Sequence, residues 1–307
     1  MGIKIARFFI LALLSTNSIF SEGETNASPL PEEKPSFAVN PLEQFTSSPV
    51  IEWDITNTHI IAFYGHPGSR IMGIVGRLSK EQLAHELRSY AEQYSRASGK
   101  PVITAVYLIY GVCQPGGEIG IMSSNLVYEY IRFTETNHFV LFLDHQIGKY
   151  PVEEAIRKLL PFMKYPHVHP ALDPEWRTLR PMKEIGSVTA DEINRAQQIL
   201  SDYLVKENIN LPKIFVIHQF HWKMIQRRHQ VKINFPYVYL IHTADGFGPP
   251  DLKKSTYAYN ALATNMPYKG FKLFFYSGYK GAGYDAPLMT PEEVVKLKPS
   301  PFLIIYQ

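Results

Sequence analysis

Cysteine is nearly absent. The 307 residues contain one, Cys113, so an intrachain disulfide is excluded. It follows an apolar run in "GVCQPGG" with no base beside it and reads as a small buried residue, not a nucleophile. Strong charge is also missing. The formal net charge is +3, and near +1 without Lys4 and Arg7. No basic stripe appears, since "KMIQRRH" (223–229) is short and reads as a solvated helix face; nucleic acid is not an expected partner. No apolar run is long enough to span a bilayer. No metal spacing of the H-E-x-x-H type and no G-x-G-x-x-G fingerprint occurs.

What is present begins with a secretory pattern. "MGIKIAR" is a basic n-region, "FFILALL" an apolar h-region, and "STNS" offers small residues for cleavage after Ser18, with Ser21 as another choice. Residues 1–18 are therefore expected to be a signal peptide. With the only cysteine far downstream, no lipid anchor is expected. A secreted chain without disulfides suits a bacterial periplasm or exterior. Residues 19–50, rich in Pro, Ser and Glu, read as a flexible leader. Residues 51–307 read as one domain.

In that domain near-continuous apolar runs alternate with helical patterns. The runs are 59–66, 101–110, 138–146, 167–175, 213–220, 237–246, 270–278 and 301–307, each suited to a strand buried on both faces. Helical patterns fall at 79–99, around 123–136, and at 151–163, 189–208, 221–229, 249–264 and 290–298. Ser79, Thr189 and Thr290 supply cap signals. Eight strands alternating with seven helical patterns predict an α/β fold of (β/α)8 TIM-barrel type. The alternative is a doubly wound open sheet. No eighth helix is expected, and residues 41–58 are predicted to cover that gap or the barrel floor.

In such barrels active sites form at the strand C-termini. The polar residues there are Tyr64 and His66 on strand one, and Asp144, His145 and Gln146 on strand three. Asp173 and Glu175 follow on strand four, His218 and Gln219 on five, and His242 and Asp245 on six. Lys272 and Tyr276 mark strand seven and Tyr306 strand eight. His59, His138, His167 and His169 open their strands and belong to the floor, where stability is served.

Asp173 and Glu175 flank Pro174, which biases Asp173 toward extended geometry. Residues two apart on a strand share a face, so both acids can point to the mouth. Adjacent like charges raise one carboxyl's pKa, leaving one protonated and one ionised, the division of labour glycoside hydrolysis needs. Glu175 is the expected general acid. Asp173 would orient it or stabilise positive charge on the sugar, and Asp245 or Asp144 would be a second carboxylate. Tyr64, Tyr276 and Trp176 offer a sugar platform. No cofactor is expected on this reading. Two other classes stand beside it. One is a metal-dependent hydrolase with a divalent ion held by some of His66, Asp144, Asp173, Glu175, His218, His242 and Asp245. The other is a barrel that binds a glycan or wall fragment without turnover. Lys272 is expected in the lumen beside Asp245 or Glu175. The glycines of 65–76 offer backbone that can cradle a phosphate.

"LDPE" (172–175) on the barrel rhythm resembles retaining barrel glycosidases, D-x-E muramidases and chitinase-like barrels in particular. The chitinase series of aspartates before the Glu and the muramidase aspartate on strand one are absent. Residues 59–307 as a whole resemble a group of bacterial extracytoplasmic barrel proteins, through "YGHPGS", "ALDPEW", "TADEIN", "HQF" and "PLMTPEEV". That resemblance implies fold and export and no particular reaction.

Overall fold

Each apolar run forms a parallel strand in a computed structural model that describes residues 57–307. The strands are β1 (His59–His66), β2 (Val102–Cys113), β3 (Val140–Gln146), β4 (Val168–Asp173), β5 (Lys213–Gln219), β6 (Val238–Ala244), β7 (Lys269–Leu273) and β8 (Leu303–Tyr306). Each pairs in parallel with the next, and β1 pairs with both β8 and β2, so the sheet closes into an eight-stranded barrel. Closure removes every edge and buries both strand faces, which is why the runs show little polar alternation.

Six α-helices lie among the described residues: α1 (Lys80–Ser98), α2 (Ser124–Asn137), α3 (Val152–Leu159), α4 (Ala190–Lys206), α5 (Pro250–Ala261) and α6 (Pro291–Val295). Ser79, Thr189 and Thr290 form capping boxes with Gln82, Glu192 and Glu293. None of the helices is long and apolar enough to cross a membrane.

No helix follows β8 among the described residues. α1 packs against α6 there, and its Tyr90 and Tyr94 cover the outer face of β8. The Tyr94 hydroxyl lies 2.7 Å from that of Tyr306, and the Tyr90 and Tyr306 rings meet edge-on at 4.8 Å. The cover expected from residues 41–58 falls almost entirely outside the described residues.

The helix expected at 221–229 does not form. Two 3-10 turns flank Ile225–Gln226, which pairs with Val188–Thr189 in a small parallel ladder. Met224, Ile225 and Val231 are buried, so their spacing imitates a helix face. The backbone's hydrogen bonds go instead to side chains from elsewhere. Asn194 Oδ1 accepts from the Lys232 N–H at 2.8 Å, and Asn265 donates to the carbonyls of Arg228 and Val231 at 3.0 and 2.9 Å.

The core has two layers. Ile60, Ala62, Ala105, Phe142, Val216, Ile241 and Ile305 fill the lumen. Ile61, Phe63, Val106, Leu143, Phe215, Leu240 and Ile304 face the helices. This alternation decides which polar residues reach the lumen.

Candidate active site

The acidic stretch of β4 is built differently from a continued strand. β4 stops at Asp173, and Pro174–Trp176 form a 3-10 turn. Asp173 is its N-cap and Pro174 its first residue, and Asp173 Oδ1 accepts the Glu175 N–H at 3.1 Å. The shared-face strand geometry expected for the pair is thus replaced by a turn in which one acid holds the other's backbone. Asp173 is buried; Glu175 is half-buried at the rim. The Glu175 carboxyl makes no hydrogen bond or ion pair among the described residues.

Below the turn, alternate residues of six other strands or their ends meet in the lumen. The Tyr64 hydroxyl donates to Asp144 Oδ2 at 2.9 Å. His218 lies between Asp245 Oδ2, 2.9 Å from Nδ1, and the Tyr107 hydroxyl, 2.7 Å from Nε2. Asp144 Oδ2 is 3.9 Å from the same Nε2. Lys272 reaches 3.4 Å from Asp245 Oδ2 and stands 3.8 Å above the Tyr64 ring, so the expected lumenal lysine is paired with Asp245. One oxygen each of Asp144 and Asp245, Oδ1, is buried with no hydrogen-bond partner among the described residues.

Environment separates the acids. Burial, then the Asp173 charge, pushes Glu175 up to about 8. Burial pushes Asp173 up to about 6, with His218 opposing and Asp144 adding. Burial raises Asp144 as well, against His218 and Lys272. Burial would raise Asp245 too, but His218 and Lys272 overcome it and hold the acid at about 2. Burial disfavours charge on His218, yet Asp245, Asp144 and Asp173 bring it up to about 9.

Several expected site residues lie elsewhere. His145 faces the helix layer, beside the Tyr110 ring. His242 and Gln219 also face outward and bond each other at 2.8 Å, with Arg228 on Gln219 and the Lys269 ammonium on His242. Tyr306 faces α1, as above. All four stand one residue out of phase with the lumenal positions. Gln146 holds the Cys113 N–H at 2.6 Å and braces the end of β2. His66 accepts from the Gly68 N–H in the turn after β1. Tyr276 lies past the end of β7, 70% exposed and edge-on to Tyr284. Trp176 is half-buried in the acidic turn. The glycines of 65–76 close a hairpin on β1. At Gly73 a Cβ would stand 2.3 Å from the Tyr64 carbonyl oxygen.

At the other end, His59 bonds the Pro301 carbonyl, His167 the Ile131 carbonyl, and His169 the Ile214 N–H. His138 caps α2 in a left-handed conformation.

Among the described residues no three His, Cys, Asp or Glu side chains are grouped to hold a metal ion. His218 has both nitrogens engaged and His242 faces the helix layer, so neither of these two candidate ligands presents a free nitrogen to the lumen. Tyr107 was not anticipated. It lies mid-strand, and its signal is register: it pairs with Tyr64 across β1 and β2.

The fold and these side chains define a (β/α)8 barrel with a buried acidic site at its C-terminal mouth. No protein-family model and no curated protein matches the chain. Similar solved structures include a putative alpha-L-fucosidase from Bacteroides thetaiotaomicron, at 10% identity and TM-score 0.42, covering 85% of this chain and 89% of that one. The GH18 chitinase ChiB from Flavobacterium johnsoniae is similar at 10% identity and TM-score 0.41, covering 81% and 87%. Endo-glycoceramidase II from Rhodococcus sp. is similar at 12% identity and TM-score 0.44, covering 82% and 74%. This likeness is too slight to assign an activity, and the barrel rests on the chain's own strand pairing.

Proposed function

We propose that the protein is an exported glycoside hydrolase acting on a bacterial or environmental glycan. The observation that carries this reading is the Asp173–Glu175 turn at the mouth, with Asp173 Oδ1 bound to the Glu175 N–H. Burial and Asp173 keep Glu175 protonated at neutral pH, while Asp173 ionises near 6. Glu175 gives its proton to the glycosidic oxygen as the bond to the anomeric carbon breaks. The Asp173 carboxylate faces the positive charge that grows on the ring. Water then adds to the anomeric carbon, and its proton returns to Glu175. Lys272 and His218 neutralise Asp245, which limits repulsion on Asp173.

Export rests on the signal pattern of residues 1–18. Mass spectrometry of the secreted or periplasmic chain should find an N-terminus after Ser18 or Ser21.

Reducing-end release from a panel of bacterial and plant glycans tests the reaction. Wild type should cleave at least one, and Glu175→Gln should lose about 100-fold or more. A Glu175→Gln variant with full activity refutes the assignment. A second reading, a barrel that binds glycan without turnover, is favoured by exposed Tyr276 beside Tyr284. Binding by the wild type with no cleavage would support it.

A further inference from the structure

We infer that Lys253 and Asp285 are positioning residues of this site: together they clamp β6 to β7 where the strand ladder ends, and so hold Lys272 against Asp245. The inference rests on the glycosidase reading above for the chemistry that is positioned. The clamp itself rests on contacts with the backbone.

The sheet creates the need for a clamp. The β6–β7 ladder runs from the His242–Lys269 pair to the Ala244–Phe271 pair and stops. The next two residues in that register are Asp245 and Lys272, whose side chains form the ion pair of the lumen, 3.4 Å apart. Each is still tied on its far side at this level. The Asp245 N–H donates to the Gln219 carbonyl at 3.2 Å, and Lys272 pairs with Ile305 of β8. Between β6 and β7 no ladder pairing remains here.

Lys253 supplies what the ladder lacks. It comes from the first turn of α5, and its side chain is buried on the helix side of the sheet, over the Phe271 ring at 4.9 Å. Its ammonium donates to the Gly246 carbonyl at 2.5 Å and to the Lys272 carbonyl. The first is one residue past Asp245, and the second belongs to Lys272 itself. One ammonium thus bonds both backbones beside the ion pair. Asp285, also buried, stands with Oδ2 3.4 Å from that ammonium. The same Oδ2 accepts the Phe274 N–H at 3.0 Å, and Oδ1 accepts the Gly248 N–H at 3.0 Å. The chain leaving β6 and the chain leaving β7 are each bound by both partners.

Energetics count against a role in stability alone. A cation near a helix N-terminus opposes the macrodipole. A buried ion pair is often no more stabilising than apolar side chains of the same volume. What this pair provides, and apolar residues cannot, is directed bonds to backbone groups on both sides of the seam. The ammonium has three protons, and Gly246, Lys272 and Asp285 face them, so none is left for substrate. The role is therefore positioning.

Paired variants of the full chain separate positioning from stability. Lys253→Met leaves the Asp285 carboxylate buried without its cation, so its melting temperature should fall. Adding Asp285→Asn removes that charge, and the double variant should regain melting temperature. It still lacks the ammonium, so kcat on the cleaved glycan should stay about 10-fold or more below wild type, with KM within about 2-fold. A pair that only stabilises would restore kcat along with melting temperature, and that result overturns the inference. A crystal structure of the double variant reads the seam without substrate. The Lys272 ammonium should move beyond about 4 Å from Asp245 Oδ2. An unchanged 3.4 Å contact also overturns the inference. The two readings fail separately. A wild type that cleaves no glycan removes the glycosidase and leaves the clamp to that crystal structure, whereas an unchanged contact beside a cleaving wild type removes only the clamp.

Discussion

The Asp173 carboxylate accepts the backbone N–H of Glu175 at 3.1 Å, so the two acids of the mouth are joined through a cap as well as by charge. One side chain thereby has two duties, which different substitutions separate. Asn caps as well as Asp, whereas Ala does not. Asp173→Ala should be about 1 kcal/mol less stable than Asp173→Asn in urea unfolding. Both remove the negative charge, so in both the alkaline limb of activity should move to lower pH as Glu175 relaxes toward its ordinary value. Equal stability of the two variants would contradict the capping role.

Stability should fall on the alkaline side. Glu175 and His218 are both raised in the folded state, to about 8 and about 9. A raised group stabilises the fold fully below its unfolded value and loses that contribution as pH climbs through the folded one. For Glu175 the window runs from about 4.5 to about 8, and for His218 from about 6.5 to about 9. Thermal melts should therefore decline between these limits. Glu175→Gln, which has no proton to lose, should flatten the decline up to about 8. An identical slope in the variant counts against the shift.

Much of this fold was legible in the sequence because strands buried on both faces read as unbroken apolar runs. The same continuity hid which face each residue takes. His145, His242 and Gln219 look like site residues at strand ends, yet each is one position out of phase with the lumen. Tyr107 went unseen for the converse reason: it is mid-strand, and its role appears only through its pairing with Tyr64. The connection at 221–229 misled because its hydrogen bonds are supplied by Asn194 and Asn265, residues distant in sequence.

That connection offers a local test. Lys232 N–H is held by Asn194 Oδ1 at 2.8 Å. Asn194→Ala should cost about 1 kcal/mol and speed exchange of the Lys232 amide, leaving barrel-strand amides protected. Unchanged exchange at Lys232 would show that the bond does not hold the connection.

Lys272 is nearly fully buried with its charge on Asp245. Lys272→Met keeps the volume but leaves that acid short of a partner, and should cost about 3–5 kcal/mol in urea unfolding. Lys80, paired with Glu129 at the surface, is the control. Lys80→Met should cost less than about 1 kcal/mol. Similar small losses at both positions would mean that Asp245 needs no cation.

The chemistry proposed for the mouth turns on Glu175 being a protonated carboxyl at neutral pH, joined to an acid, Asp173, that ionises first. Carbon-13 NMR titration of protein labelled at the Asp and Glu side-chain carboxyls measures this directly. Glu175 should titrate near 8 and Asp173 near 6. A Glu175 that titrates near the ordinary value of 4.5, or below Asp173, would contradict it.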